Sequence, residues 1–154
     1  MLDTNQGQKS FKVASSTNVI VRAPATMADI TKGEWLGVDA KKGAAGDLTA
    51  VSITILPNDY NGRKGQWLMD SGDTMTNAQV TDAVSGVSGH SILMTYDGGT
   101  AKIAVPESAM IHRVTLSSLS ALKPQMHATV RGTSNADGTW TATSIVVDSP
   151  SATN

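Results

Sequence analysis

The residues best equipped for chemistry in this sequence are three histidines with methionines near them, and one loop that carries both aromatics and cations. His90, His112 and His127 all lie in the second half of the chain, close in sequence to Met94, Met110 and Met126. Imidazole and thioether together suit a soft ion such as Cu(I). That makes His112, His127 and Met110 a candidate set for copper or zinc. Met110 and His112 share a face if their segment is a strand, because strand side chains alternate with period two. The same alternation sends Met126 inward and His127 outward, so the set does not converge, and the first half of the chain offers no equivalent. Exposed histidines and gap-filling core methionines are the plainer reading.

The second candidate is the stretch from Pro57 to Asn77, rich in Gly, Asn and Asp and the longest without regular periodicity. Loops of this length inside compact proteins are functional or are linkers. Tyr60, Arg63, Lys64 and Trp67 combine two aromatics with two cations, the kind of surface that docks a partner, and they are the candidate ligand-binding residues. The alternative is a connector whose Trp67 plugs a seam between domains.

Catalytic chemistry finds no support. Asp70-Ser71-Gly72-Asp73 is too short for a calcium loop, and Gly86-Val87-Ser88-Gly89-His90 fails the Gly-x-Ser-x-Gly spacing of a nucleophile elbow. With no cysteine there are no thiolate ligands, cysteine nucleophiles or disulfides. No catalytic residue and no cofactor are expected, and the chain reads as non-enzymatic. Lys and Arg total 12 against 13 Asp and Glu. Phosphates demand clustered cations, so a nucleic-acid partner is disfavoured. Trp35 and Trp140 would be its stacking platforms, and weak single-strand binding ranks third. No apolar run reaches the length of a membrane span, and Met1-Leu2-Asp3-Thr4 is no signal peptide.

These residues must be positioned by strands. Hydrophobic residues make up 40%, and the 14 Gly and 5 Pro fall largely between alternating apolar runs, as in a globular all-β protein. A repeat organises the runs. Leu122 to Ile145, with its Asp137-Gly138 hairpin, restates Ile30 to Ile53 at an offset of 92. Alternation makes Leu36, Val38, Ile53 and Ile55 core in one copy, and Met126, Ala128, Val130, Ile145 and Val147 core in the other. Further strands are expected at Phe11–Val13, Val19–Val21, Val80–Val87, Ile92–Tyr96, Ala101–Val105 and Met110–Val114. Single helical turns are expected near Pro24–Ile30 and Ser117–Leu122, and Asp97-Gly98 is a hairpin signal. The domains are therefore 1–57 and 77–148, joined by a loop at 58–76 and followed by a flexible tail at 149–154. Carried back by 92, the second domain's opening strand falls before Met1, which predicts a first domain incomplete at its N-terminus. Truncation from a longer gene product is the preferred explanation. For a natural chain, swapping or dimerisation through the incomplete first barrel takes its place.

The run Leu122-Lys123-Pro124, Val130-x-Gly132 and Ala136-Asp137-Gly138-Thr139-x-x-Ala142-x-x-Ile145 resembles a bacterial domain family of unknown function. That family occurs in exported proteins, often in tandem, and Thr74-Met75-Thr76-Asn77-Ala78 resembles a phrase from its two-unit members. The resemblance implies two tandem small OB-like β-barrels, export to the periplasm or beyond in a Gram-negative bacterium, and no known catalytic residues. Gln125 departs from the usual Gly, and Lys32-Gly33 from Pro-Gly. Some relatives carry metal-transport names, which a soluble barrel cannot justify as permeation. The expected function is a cell-envelope or secreted interaction module for an unidentified protein or glycan partner, with periplasmic metal binding as the alternative.

Overall fold

A strand buried on one face must show its apolar residues at every second position. In Trp35–Lys42 this places Leu36, Val38 and Ala40 inward, and all three are fully buried. The computed structural model describes residues 2–4, 7–86, 89–124 and 126–149. The sequence expectations for Met1, for Val87 and Ser88 of the glycine–serine run, for Gln125 and for the tail beyond Ser149 lie outside the described residues.

The regular elements are strands, apart from two short 3-10 turns at Met27–Asp29 and Leu119–Ala121. In chain order the strands are β1 (Leu2–Thr4), β2 (Gly7–Lys9), β3 (Phe11–Pro24), β4 (Trp35–Lys42), β5 (Leu48–Ile55) and β6 (Gly65–Leu68). They continue as β7 (Thr74–Gly86), β8 (Gly89–Tyr96), β9 (Gly99–Val105), β10 (Met110–Ser117), β11 (Ala128–Ser134) and β12 (Trp140–Asp148). Both expected helical turns are present, as is the Asp97-Gly98 hairpin, where Gly98 takes φ 103°. The all-β expectation is met. Two strands read separately, Phe11–Val13 and Val19–Val21, run as the single strand β3.

The chain folds as two compact units, one of Met1–Ala23 with Thr115–Asn154 and one of Pro24–Val114. This differs from the split expected at 58–76. Two features of that segment account for the difference. Gly65–Leu68 is itself a strand, pairing with β7 from Gly65↔Asn77 to Leu68↔Thr74. β7 begins at Thr74 and also pairs with β4, from Trp35↔Gln79 to Ala40↔Thr74, so the segment contains an edge strand and the start of a central one.

In the unit Pro24–Val114, β4 pairs antiparallel with β5 and β7, β7 with β8, and β8 with β9. β9 returns to lie parallel to β5 through Leu48↔Ile103 and Thr49↔Ala104, which closes a ring of five strands. The rest of that edge of β5 is taken by β10, from Met110↔Ser52 to Arg113↔Ile55. Closure leaves each of these strands paired on both sides over part of its length. Inside lie Leu36, Val38, Ile53, Ile55, Val80, Ile92, Met94 and Ile103, each at most 1% exposed. Full burial of such a side chain contributes about 1.5–3 kcal/mol.

The other unit holds the β1–β2 hairpin and three longer strands, β11 antiparallel to β12 and β12 parallel to β3. Its core is Ala142, Ile145 and Val147, with Phe11, Val21, Leu122, Met126, Ala128 and Val130 packed around them. Exposure alternates along His127–Arg131 as the sequence pattern predicts, with Ala128 and Val130 covered and His127, Thr129 and Arg131 open. A cavity of about 300 Å³ opens on this apolar face, between Phe11, Val13, Leu122, Met126 and Val130.

The two hairpins keep one register. The β4–β5 pairing slips at Asp39/Ala40 and the β11–β12 pairing at Arg131/Gly132. Ile53 lies beside Ile111, and Ile145 beside Val19. Leu48 lies beside Ile103, and Trp140 beside Phe11. Each of these pairs is the other moved by 92 positions, forward on one strand and back on the other.

Candidate functional site

The loop after β5 is held in place by its own backbone turn and by one strand residue. The Tyr60 amide donates to the Pro57 carbonyl at 3.0 Å, which turns the chain back toward the sheet. Asn77, on β7, donates from its side-chain amide to the Tyr60 hydroxyl oxygen at 2.8 Å and to the Arg63 carbonyl at 2.9 Å. The Tyr60 hydroxyl in turn donates to the Arg63 carbonyl at 2.9 Å. A Cβ on Gly62 would sit against the Tyr60 ring, so this turn has room for glycine alone. With its backbone carbonyl and phenol both satisfied, the loop behaves as part of the sheet.

This anchoring gathers the aromatic and cationic side chains. Tyr60 packs against Trp35, the first residue of β4, with ring centroids 5.9 Å apart and planes inclined by 46°. Lys64 holds its ammonium 4.5 Å from the centroid of the Trp35 ring. Arg63 stacks its guanidinium 4.0 Å from the ring of Trp67 on β6. Both are cation–π distances, and Arg63 and Lys64 remain exposed while the rings are half-buried. The four loop residues singled out in the sequence are thus joined by a fifth, Trp35, and by the tether Asn77. The sequence pattern placed Trp35 among the nucleic-acid stacking candidates and gave Asn77 no role in a site. An asparagine in the turn-proximal half of a strand, between Thr76 and Ala78, is the signal that could have drawn attention to it.

The candidate metal ligands lie outside the elements that carry this cluster. Met110 and His112 lie on β10, Met110 being 60% exposed and His112 half-buried beside Thr54. His127 is exposed, just ahead of β11 in the other compact unit. Among the described residues, no group of three or more His, Cys, Asp or Glu stands close enough to hold a metal ion. Asp70 to Asp73 form a turn in which the Met69 amide donates to the Asp73 carbonyl at 2.8 Å. Trp140, the other stacking candidate, sits against Phe11 at 6.2 Å with the Lys9 ammonium 5.6 Å from its ring.

Electrostatics near the ring unit is set by a few carboxylates. Burial pushes the pKa of Glu34 up, but hydrogen bonds from Arg113 (2.7 Å) and the Thr31 amide (2.8 Å), with the Arg113 charge, outweigh it and leave it lowered. Arg113 also donates to the Asp29 carbonyl at 2.8 Å, which fixes the chain just ahead of β4 and Trp35. Asp39 shows the opposite balance. Burial, then the charge of Asp73, raises its pKa against the pull of Lys41, and its Oδ1 is buried with no hydrogen-bond partner.

The sequence profile of a family described as a domain of unknown function (DUF5666) matches residues 95–146, about a third of the chain. The matched stretch runs from the end of β8 into β12. No curated protein and no solved structure matches the chain. No helix among the described residues is long and apolar enough to cross a membrane.

Proposed function

We propose that this chain is a non-enzymatic binding module that docks a protein or glycan partner on the platform formed by Trp35, Tyr60, Arg63, Lys64 and Trp67. The observation that carries the reading is the seating of both loop cations on indole faces, with the loop itself tethered by Asn77. Such a surface is already ordered before a partner arrives, so little conformational entropy is lost on binding. Its groups offer stacking and charge-assisted hydrogen bonds, the chemistry of adhesion. A cell-envelope or secreted setting belongs to the same reading and rests on the resemblance of residues 122–145 to exported domains.

The test is a titration followed by 15N NMR, with peptide and glycan libraries, Zn(II) or Cu(I), and a thymidine oligonucleotide as separate arms. The reading expects the indole signals of Trp35 and Trp67 and the amides of 60–67 to move with peptide or glycan. Shifts at His112 and His127 with metal alone would replace it with the metal-binding alternative. Shifts at Trp35 and Trp140 with oligonucleotide alone would replace it with single-strand binding.

The finer reading of the fold is that both units are OB-like and built from an internal repeat whose copies exchange strands. In sequence order each copy would contribute a three-stranded part followed by a hairpin. Here the hairpin β4–β5 of the first copy joins β7, β8, β9 and β10 of the second, while the hairpin β11–β12 of the second joins β3 of the first. The register kept through an offset of 92, bulges included, supports this. The ring then has the strand order of an OB barrel in circular permutation, with its single parallel contact where that barrel has one. Strands equivalent to β7 and β8 are then wanted beside β11, and a second copy of the chain is the partner proposed to cover that edge.

A further inference from the structure

Next to the platform, and within the same unit, lies a groove of about 390 Å³ bounded by Trp35, Lys64, Gln79, Thr95, Tyr96 and Asp97. That volume falls in the range of small-ligand sites. Its floor is a cross-strand row. Trp35 on β4 stands opposite Gln79 on β7, and Gln79 opposite Thr95 on β8. Their neighbours Leu36, Ala78, Val80 and Met94 are buried, so alternation turns the whole row outward. Thr81 also borders the groove as the extra residue of the bulge between Val80 and Asp82, its hydroxyl donating to the Leu93 carbonyl at 3.1 Å. Bulges re-aim side chains and recur beside binding sites.

The two sides of the row differ in charge. On the β4 side the Lys64 ammonium lies over the Trp35 ring. On the β8 side Tyr96 leads into the turn that carries the Asp97 carboxylate. Among the described residues, neither the Thr95 hydroxyl nor the Asp97 carboxylate is engaged by a protein hydrogen bond or ion pair.

We infer that this groove binds a pyranose bearing a carboxylate, a uronate unit of an acidic glycan; the inference rests on the platform reading and names the ligand of its face. A sugar ring offers an apolar C–H face and an edge of hydroxyls. The groove answers with aromatic walls at Trp35 and Tyr96 and an amide–hydroxyl floor at Gln79, Thr81 and Thr95. Lys64 receives the carboxylate in a charge-assisted hydrogen bond. Asp97 repels that carboxylate and accepts sugar hydroxyls, so the ring is held in one orientation. Single-stranded nucleic acid is the weaker occupant. Its phosphates need a track of cations, and the groove sets one lysine against one aspartate.

The test titrates the 15N-labelled protein with a galacturonate trisaccharide, a neutral galactose trisaccharide and a thymidine hexanucleotide. Affinities are followed in parallel by calorimetry. The inference expects galacturonate to move Thr95, Tyr96, Asp97 and the Trp35 indole, and the neutral sugar to bind the same residues more weakly. Lys64→Gln should lower galacturonate affinity about tenfold or more and lower that of the neutral sugar by far less, because the lost contact is chiefly the one to the carboxylate. Thr95→Val, which keeps the strand shape, should weaken both sugars, and Trp140→Phe neither. Galacturonate moving Arg63 and Trp67 while Thr95–Asp97 stay still overturns the groove and leaves the platform standing. A response of Thr95–Asp97 to oligonucleotide but not to galacturonate overturns the ligand class. Silence at both 60–67 and 95–97 toward all three overturns groove and glycan platform together.

Discussion

Asn77 holds the Tyr60 phenol to the sheet, its side-chain amide donating to the phenol oxygen at 2.8 Å across 17 residues of sequence. The tether is partly buried, so its loss leaves polar groups wanting. Asn77→Ala is expected to cost about 1–2 kcal/mol in urea unfolding, through the hydrogen bonds to Tyr60 and the Arg63 carbonyl. It should also broaden the NMR signals of 60–64 and shift the Trp35 indole, because Tyr60 packs on that ring. Signals of 60–64 as sharp as in the parent would show that the loop is anchored elsewhere.

Glu34 and Arg113 give a pH-dependent contribution with a defined sign. The folded-state pKa of Glu34 is lowered, so its stabilisation is present above the pKa of the unfolded chain. It is lost as pH falls through the folded value, below the usual carboxylate range. Glu34→Gln should therefore be less stable than the parent near neutral pH, by about 1–3 kcal/mol for a charged hydrogen bond whose acceptor side chain is 15% exposed. The difference should close on acidification. Unfolding curves at pH 7 and pH 3 measure it.

Asp39 predicts the reverse. Its folded-state pKa is raised, chiefly by burial and then by Asp73. Its ionisation therefore opposes folding as pH rises above the unfolded-state value. Asp39→Asn is expected to raise stability at pH 7 by roughly 1 kcal/mol and to change little at pH 3. A variant less stable than the parent at pH 7 would mean that the carboxylate has a stabilising role.

The bulges at Asp39/Ala40 and Arg131/Gly132 differ in what they tolerate. Ala40 is fully buried and keeps its methyl group, whereas a Cβ on Gly132 would run into the Thr141 carbonyl oxygen. Gly132→Ala should destabilise its unit by about 1–3 kcal/mol through a forced backbone shift. Ala40→Gly should cost about 1 kcal/mol through chain entropy and a lost core methyl. Thermal melts of the two variants compare them.

If a second copy covers β11, sedimentation should show a dimer whose dissociation constant rises on Val130→Glu. Val130 lines the apolar cavity. A monomer at every accessible concentration would remove the second copy as the partner.

Much of the fold was legible because alternation is a local property. Leu36, Val38, Ile53, Ile55, Ile145 and Val147 were assigned to the core by period two and are buried. The Asp97-Gly98 turn was equally plain. Gly65–Leu68 was not, since four residues with one glycine carry no period, and it becomes a strand only because β7 offers an edge. In the site, Tyr60, Arg63, Lys64 and Trp67 were found by type and proximity in sequence. Trp35 and Gln79 were not joined to them, because residues on separate strands meet only through register.

The sequence by itself determined which residues face inward and where the hairpins turn. These depend on side-chain period and on turn chemistry within a few residues. Only the tertiary structure decided which strands accept which hairpin. On β5, Ile53 meets Ile111 and Leu48 meets Ile103, and on β12, Ile145 meets Val19 and Trp140 meets Phe11. Near-equal pairings cannot be ranked from local pattern. The choice falls to chain connectivity and to the closure of the ring, which buries the larger core.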